Sequence, residues 1–245
     1  MNDVLCVIPA RGGSKGVAKK NLRTINGLPL VAWSIKQAIE ADIPKLDIVV
    51  SSDDEEILSL AKTWGVVAHL RPDNLCEDLC STEEAMLDAL QVKPDAELVV
   101  LLQPTSPIRM RGRIKGCINR FKSGNHDSLV TVTKFYDFCW FQKMIYPGGE
   151  PKVIWVSTYD PENRPMRQQL PLESLLNFDN GNVYITKRTF LEKSKCRLGG
   201  DICVSPISQV EGIQIDTEED FEMTEQIIIG NPCDMEVKSW NPVKW

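Results

Sequence analysis

Between Arg11 and Ile39 the chain carries no aspartate or glutamate, although it holds 34 acidic residues against 28 lysines and arginines and has a formal net charge of −6. Arg11, Lys15, Lys19, Lys20, Arg23 and Lys36 all fall in that acid-free stretch. Such local inversion of charge points to an anionic partner. The acidic balance of the whole chain excludes a general nucleic-acid binder, whose footprint is a net basic face, so the expected anion is small. Histidine is scarce: neither His69 nor His126 completes a zinc set with Cys76 and Cys80. Cys6, Cys76, Cys80, Cys117, Cys139, Cys196, Cys203 and Cys233 are scattered through a chain too large to need a disulfide framework, and read as free thiols. No run approaches the ~20 apolar residues of a membrane helix. The first residues enter an apolar strand without a charged-then-apolar signal region, so a cytoplasmic protein with no membrane partner is expected. Internal repeats and low-complexity tracts are also missing.

What is present starts at Val4 and runs to Leu22: VLCVIPARGGSKGVAKKNL. An apolar run, Val4 to Ile8, has the character of a buried strand and feeds a loop rich in glycine and lysine. Gly12, Gly13 and Gly16 allow close approach of backbone to an anion, so that successive N–H groups face phosphate oxygens while lysines neutralise them. The spacing R-G-G-S-K-G is neither a Walker loop nor a dinucleotide fingerprint. The competing reading is a solvated basic turn after an edge strand, which the apolar run disfavours.

With 245 residues, 42% of them hydrophobic, the chain can build one large domain with a small appendage. Short apolar runs at 3–8, 46–51, 66–69, 97–102 and 128–133 alternate with helical patterns at 29–41, 54–64, 81–90 and 111–122. This is the rhythm of parallel β-α-β units covered on both faces, with Pro29 suited to a first helical turn. The expected class is α/β, an open and mostly parallel sheet. From Phe135 to Leu176 the rhythm gives way to aromatics, prolines and Gly148-Gly149 without a clean period. Strands resume at 182–186 and 202–206, before a last helix at 217–229. The expected organisation is a nucleotide-binding domain of residues 1–134 and 177–230, an insertion at 135–176, and a tail at 231–245 with no readable element. Trp140, Phe141 and Trp155 in the insertion suggest a dimerisation surface, or else a lid packed on its own subunit.

Open α/β sheets place ligands at the carboxyl ends of their strands, and several polar groups converge there. The segment Gln103 to Arg109, QPTSPIR, would set an amide, hydroxyls and a guanidinium beside the first loop, unless it is only a proline-rich turn. Asp53 and Asp54 end a strand, and one of them suits a helix N-cap. Arg71-Pro72 and Ser81-Thr82 flank a loop before a helix, where Ser81 or Thr82 could cap the helix or read a base edge. Asp216 follows the strand-like residues 212–215 and opens DTEEDF, in which Thr217 and Asp220 resemble a capping box. Its carboxylate could serve the helix or a magnesium ion, which favours one or two carboxylates plus substrate phosphates. Asn180-Gly181 reads as a tight hairpin turn on its own, and a role in the site is compatible with that.

Taken in order, VIPARGGSKGVAKKNL, RPDNLCEDLCST, LLQPTSPIR, RQQLP followed by NG and VYI, and QIDTEEDF resemble the motifs of the acylneuraminate cytidylyltransferases, or CMP-sialic acid synthetases. The likeness spans roughly residues 4 to 222, and five ordered motifs make coincidence improbable. It implies a Rossmann-like nucleotidyltransferase fold with a small dimerisation insertion, acting as a homodimer. It also implies CTP as substrate, a nonulosonic α-keto acid sugar as acceptor, pyrophosphate as product, and Mg2+ or Mn2+ as cofactor. By that likeness Arg11, Gly12, Gly13, Ser14, Lys15 and Lys20 line the triphosphate path. Lys20, Arg11 and Asp216 are the catalytic candidates, Lys20 foremost, while Asn21 holds the nucleotide and Arg71, Ser81 and Thr82 recognise cytosine and its neighbourhood. Gln103 orients the acceptor, Asn180 belongs to the sugar side, and Arg167 reaches toward the partner subunit's site.

Two positions depart from the family's pattern. The metal motif, commonly Asp-Ile-Asp, is Gln214-Ile215-Asp216 here, so Asp216, with Gln214 offering a neutral oxygen, is the expected metal pair. The insertion has Phe138-Cys139-Trp140-Phe141 where members often show His-Pro before the aromatic pair, and no acceptor contact is carried over from it. The alternatives are a nucleotidyltransferase for another α-keto sugar acid such as Kdo, against which the loop ARGGSKG argues, and a catalytically silent nucleotide-binding homologue.

Overall fold

The computed structural model describes residues 3–13, 16–75, 80–135, 138–166 and 176–230. Ser14, Lys15 and Arg167 lie outside the described residues, as do Cys76, Cys233 and the tail at 231–245.

Strand β1 (Val4–Pro9) leads through the acid-free loop to the short pair β2 (Thr24–Ile25) and β3 (Leu28–Pro29) and helix α1 (Leu30–Glu40). The alternation continues with β4 (Ile48–Ser52), α2 (Glu55–Trp64), β5 (Val67–Leu70), α3 (Thr82–Ala89), β6 (Leu98–Leu101), α4 (Arg113–Ser123) and β7 (Ser128–Phe135). Then come β8 (Trp140–Ile145), β9 (Lys152–Ser157), β10 (Leu176–Lys187), α5 (Arg188–Ser194), β11 (Ile202–Ile207) and α6 (Glu218–Ile229). Seven strands make one sheet in the order β11-β7-β10-β6-β1-β4-β5. Strand β10 runs antiparallel to both β6 and β7, and the other pairings in this sheet are parallel.

Because successive side chains of a strand point to opposite faces, β1 splits its apolar residues between two cores. Val4, Cys6 and Ile8 pack with α1, α2 and α4, whereas Leu5 and Val7 join Met86 and Ala89 of α3 and Leu191 of α5 on the other face. This double coverage is why the parallel strands read as unbroken apolar runs. Burial pushes the Cys6 thiol up to about 12 and that of Cys117 to about 11, so both stay protonated and inert in the core. A third cluster, with Val17, Ile25, Leu30, Trp33, Ile108, Ile215 and Phe221, anchors the acid-free loop to α1 and α6 and thereby positions the site.

Several expectations need correction. Residues 212–215 are not a strand: the segment crosses beside the QPTSPIR loop, with Ile215 N–H donating to the Thr105 carbonyl at 2.8 Å. Asn180-Gly181 is not a hairpin turn but lies inside β10, where the ladder shifts register between Asp179 and Tyr184. Pro29 is the N-cap of α1 rather than part of its first turn. The insertion contains a regular antiparallel hairpin, β8–β9. Its two-residue period was hidden because apolar side chains stand on both faces: Trp140, Met144, Val153 and Trp155 on one, Phe141, Ile145, Ile154 and Val156 on the other.

Candidate active site

The ends of the acid-free loop are pinned to the strands around it. The buried Asn21 side chain donates to the Arg11 carbonyl at 2.8 Å, and the Gly12 N–H donates to Asp53 Oδ1 at 2.8 Å. A Cβ on Gly12 would come within 2.8 Å of Asp54, and one on Gly16 within 2.0 Å of the Asp216 carbonyl oxygen, so neither position has room for a side chain. At Gly13 an added Cβ would meet nothing within 4 Å. Gly12 and Gly16 therefore have no room for a side chain, whereas Gly13 has. Asn21, expected on the nucleotide, braces the backbone that would hold it.

On the other side of the loop Lys20 is nearly buried, its side chain 12% exposed, and its ammonium donates to the Ile215 carbonyl at 2.7 Å. The Asp216 carboxylate stands 3.7 Å from the same nitrogen and is 72% exposed. The catalytic candidates Lys20 and Asp216 are thus brought together although 196 positions apart. The backbone keeps Asp216 at the rim: Thr217 caps α6, and Asp220 accepts from the N–H groups of Asp216 and Thr217 at 3.0 and 2.8 Å. Those two bonds hold the Asp220 carboxyl below the usual carboxylate range. Asp216 is left to face outward.

Gly181, inside β10, has φ +65. A Cβ there would sit 2.5 Å from Gln103 Oε1 and 2.6 Å from Gln214 Nε2, so Gln103, Gly181 and Gln214 form one contact. Asn180 is buried and its amide is engaged by Thr131, Thr133 and the Asn182 N–H, which places it in the frame of the β10 irregularity. Beside it the Tyr184 hydroxyl donates to Asp179 at 2.6 Å; burial and that bond push the phenol up, so it stays protonated.

At the edge of the sheet Arg71 is buried, with its guanidinium on the Ser51 hydroxyl and carbonyl at 3.1 and 2.8 Å. Ser81 caps α3 in a reciprocal box with Glu84, and Thr82 begins the helix behind it. Asp54 caps α2. Arg109, expected beside the first loop, is 1% exposed and lies underneath instead, donating to the Asn182 and Gln103 carbonyls, Ser34 and Gln37. Two features had no local signal: the Asp53 contact to Gly12, and the fully buried Glu211, which holds the Arg113 guanidinium at 2.7 Å and the Met110 N–H at 3.1 Å. The buried polar pair Ser34 and Gln37 on one face of α1 is the sign that could have announced Arg109.

No group of three or more metal-ligating side chains occurs among the described residues. Asp216 nevertheless fits magnesium, which takes one or two carboxylates and completes its shell with water and substrate phosphates.

A family model described as cytidylyltransferase matches residues 5–139. The chain is 32% identical to a post-translational flagellin modification protein B from Campylobacter coli, over 93% of this chain and 96% of that protein. It is 27% identical to an N-acylneuraminate cytidylyltransferase B from Danio rerio, over 91% of this chain but 51% of the relative, so the chain spans about half the length of that protein. A solved CMP:2-keto-3-deoxy-manno-octonic acid synthetase complexed with CTP superposes with a TM-score of 0.65 at 14% identity, covering 93% of this chain and 98% of that one. That likeness establishes the nucleotidyltransferase fold.

Proposed function

The chain belongs to the cytidylyltransferase family, and from that premise we propose that it joins CTP to a nonulosonic, sialic-type α-keto acid sugar, giving a CMP-sugar and pyrophosphate. The observation that carries the reading is the meeting of the acid-free loop with the 214–216 segment: Lys20 against Ile215 and Asp216, and Gly16 against the Asp216 carbonyl. A triphosphate laid along the loop past Gly13 has its inner phosphates beside a nearly buried ammonium. The acceptor's anomeric hydroxyl attacks the α-phosphorus in line, charge builds on the phosphoryl oxygens and the leaving pyrophosphate, and Lys20 and Arg11 meet it. A preorganised cation is worth most where water is excluded, which favours Lys20 as the chief stabiliser.

Ser14 and Lys15 complete the triphosphate path in this reading, and Arg71, Ser81 and Thr82 lie on the cytosine side. Gln103 orients the acceptor next to Gly181, while Asn180 contributes by shaping β10 and Arg167 belongs to the sugar side across the dimer. Magnesium, when bound, supplies charge neutralisation at the phosphates; Asp216 would hold it, with Gln214 on its water shell. The homodimer is supported by the β8–β9 hairpin, whose Trp140, Met144, Val153 and Trp155 form one apolar face, each of them about half exposed or more. Free thiols at Cys6, Cys80, Cys117, Cys139, Cys196 and Cys203 suit the reducing cytoplasm.

Gln214 in place of an acid favours one second reading, a nucleotide-binding homologue without turnover. Pyrophosphate release measured across nucleoside triphosphates and a panel of nonulosonic acids and Kdo separates the two. CTP-dependent release with a nonulosonic acid is expected. Release with Kdo alone moves the acceptor to that branch, and CTP binding without release across the panel supports the silent homologue.

A further inference from the structure

We propose that Asp53 is a positioning residue for the triphosphate, fixing the Arg11–Gly13 backbone after β1 by accepting the Gly12 N–H; the proposal rests on the reading of the acid-free loop as the CTP site.

A carboxylate beside a loop meant for a polyanion is electrostatically unfavourable, and here two stand side by side. Asp54 has a local task, since it caps α2 by accepting from the Glu56 and Ile57 N–H groups. Asp53 does not share it; its Oδ1 reaches across to Gly12, 41 positions earlier, at 2.8 Å. That bond belongs with three other restraints: the Asn21 amide on the Arg11 carbonyl, the Asp54 side chain against the Gly12 Cα, and the Asp216 carbonyl against Gly16. All of them act at the ends of the loop, and Gly13 between them has open space. Without Asp53 the Gly12 amide is free to turn, and the loop must be ordered by the ligand, so that binding energy is spent on ordering. The alternative use of the same contact is a placeholder, in which Asp53 occupies the amide that phosphate needs and competes with it. The two uses predict opposite signs.

The test is calorimetric titration of CTP and of inorganic tripolyphosphate into wild type, Asp53→Ala and Asp53→Asn, with kcat and KM measured alongside. Loss of the hydrogen bond to a charged acceptor is expected to weaken both ligands about tenfold in Asp53→Ala. KM for CTP should rise in parallel while kcat stays within about threefold, because Asp53 acts on the loop and not on the reacting atoms. Asp53→Asn keeps an oxygen in the same place and should restore binding to within about threefold of wild type. Tighter binding in both variants establishes the placeholder and overturns the proposal. Unchanged binding in Asp53→Ala, equal weakening in both variants, or an Asp53→Ala protein without a cooperative melting transition overturns it as well. Wild type that binds tripolyphosphate in this pattern but not CTP contradicts the nucleotide reading and leaves Asp53 in its role, whereas wild type that binds neither contradicts both.

Discussion

The two halves of the sheet meet the candidate site in different ways. Strands β6, β1 and β4 are short, mutually parallel and buried on both faces, β5 is their half-buried edge, and the segments after β1 and β4 fix the acid-free loop with bonds inside one chain. Strands β7, β10 and β11 include the one antiparallel strand of that sheet, an irregular register at Asp179, and a path from β7 into an apolar hairpin whose Trp140, Phe141, Met144, Val153 and Trp155 are about half exposed. The first half fixes the two ends of the acid-free loop; the second leaves large apolar side chains of the β8–β9 hairpin about half exposed. Recognition of a triphosphate needs fixed cations and amides, which a rigid parallel core supplies at strand ends. Discrimination among acceptor sugars needs a pocket that can vary, and a bulged strand with an appended hairpin allows variation without disturbing the core.

That contrast can be broken at several points. The largest effect is expected from Glu211→Ala, which leaves Arg113 buried beside a lost partner where α4 meets the turn after β11; denaturant unfolding should show a loss of about 3–5 kcal/mol. Next comes Lys20→Ala in the phosphate half, for which turnover should fall about 10²- to 10³-fold, with a much smaller change in melting temperature. Trp155→Asp addresses the other half: sedimentation should show a monomer where wild type is a dimer, with association weakened by about 2 kcal/mol or more. If the mutant protein still dimerises, the hairpin is a lid on its own subunit.

The smallest effect is expected from Asp220→Ala, which removes the box that holds the Asp216 backbone and should cost about 1 kcal/mol at pH 7. Its sign with pH follows from the direction of the shift. The Asp220 carboxyl titrates lower in the folded chain than in the unfolded one, so its contribution is complete above about pH 4 and is lost as the pH falls through the folded value. The difference in melting temperature between wild type and Asp220→Ala should therefore be constant above about pH 4 and narrow as the pH falls further.

The same contrast separates what could be read from the chain before its fold. In the parallel half, apolar runs and capping residues are local signals, and the caps at Asp54, Ser81 and Thr217 stand where those signals put them. In the other half, β10 spans what looked like a turn, because Asn180-Gly181 suits a tight turn and the longer ladder overrides that preference. The hairpin was illegible since two apolar faces erase a strand's alternation. Within the site, Lys20 and Asp216 were legible as chemistry, but the contacts that position them are not. Asp53 to Gly12 and Arg109 to Asn182 join residues 41 and 73 positions apart. Such pairings depend on the strand order, and spacing along the chain does not encode it.

The central claim is that the loop from Arg11 to Asn21 delivers the α-phosphorus of CTP to an acceptor sugar acid. It is tested most directly by incubating the protein with magnesium, a nonulosonic acid and CTP labelled at either the α- or the γ-phosphorus. The account predicts that α-label appears in a CMP-sugar and γ-label in pyrophosphate, with Lys20→Ala cutting the rate of both about 10²- to 10³-fold. Bound CTP whose α-label is never transferred to any acid in the panel would contradict it.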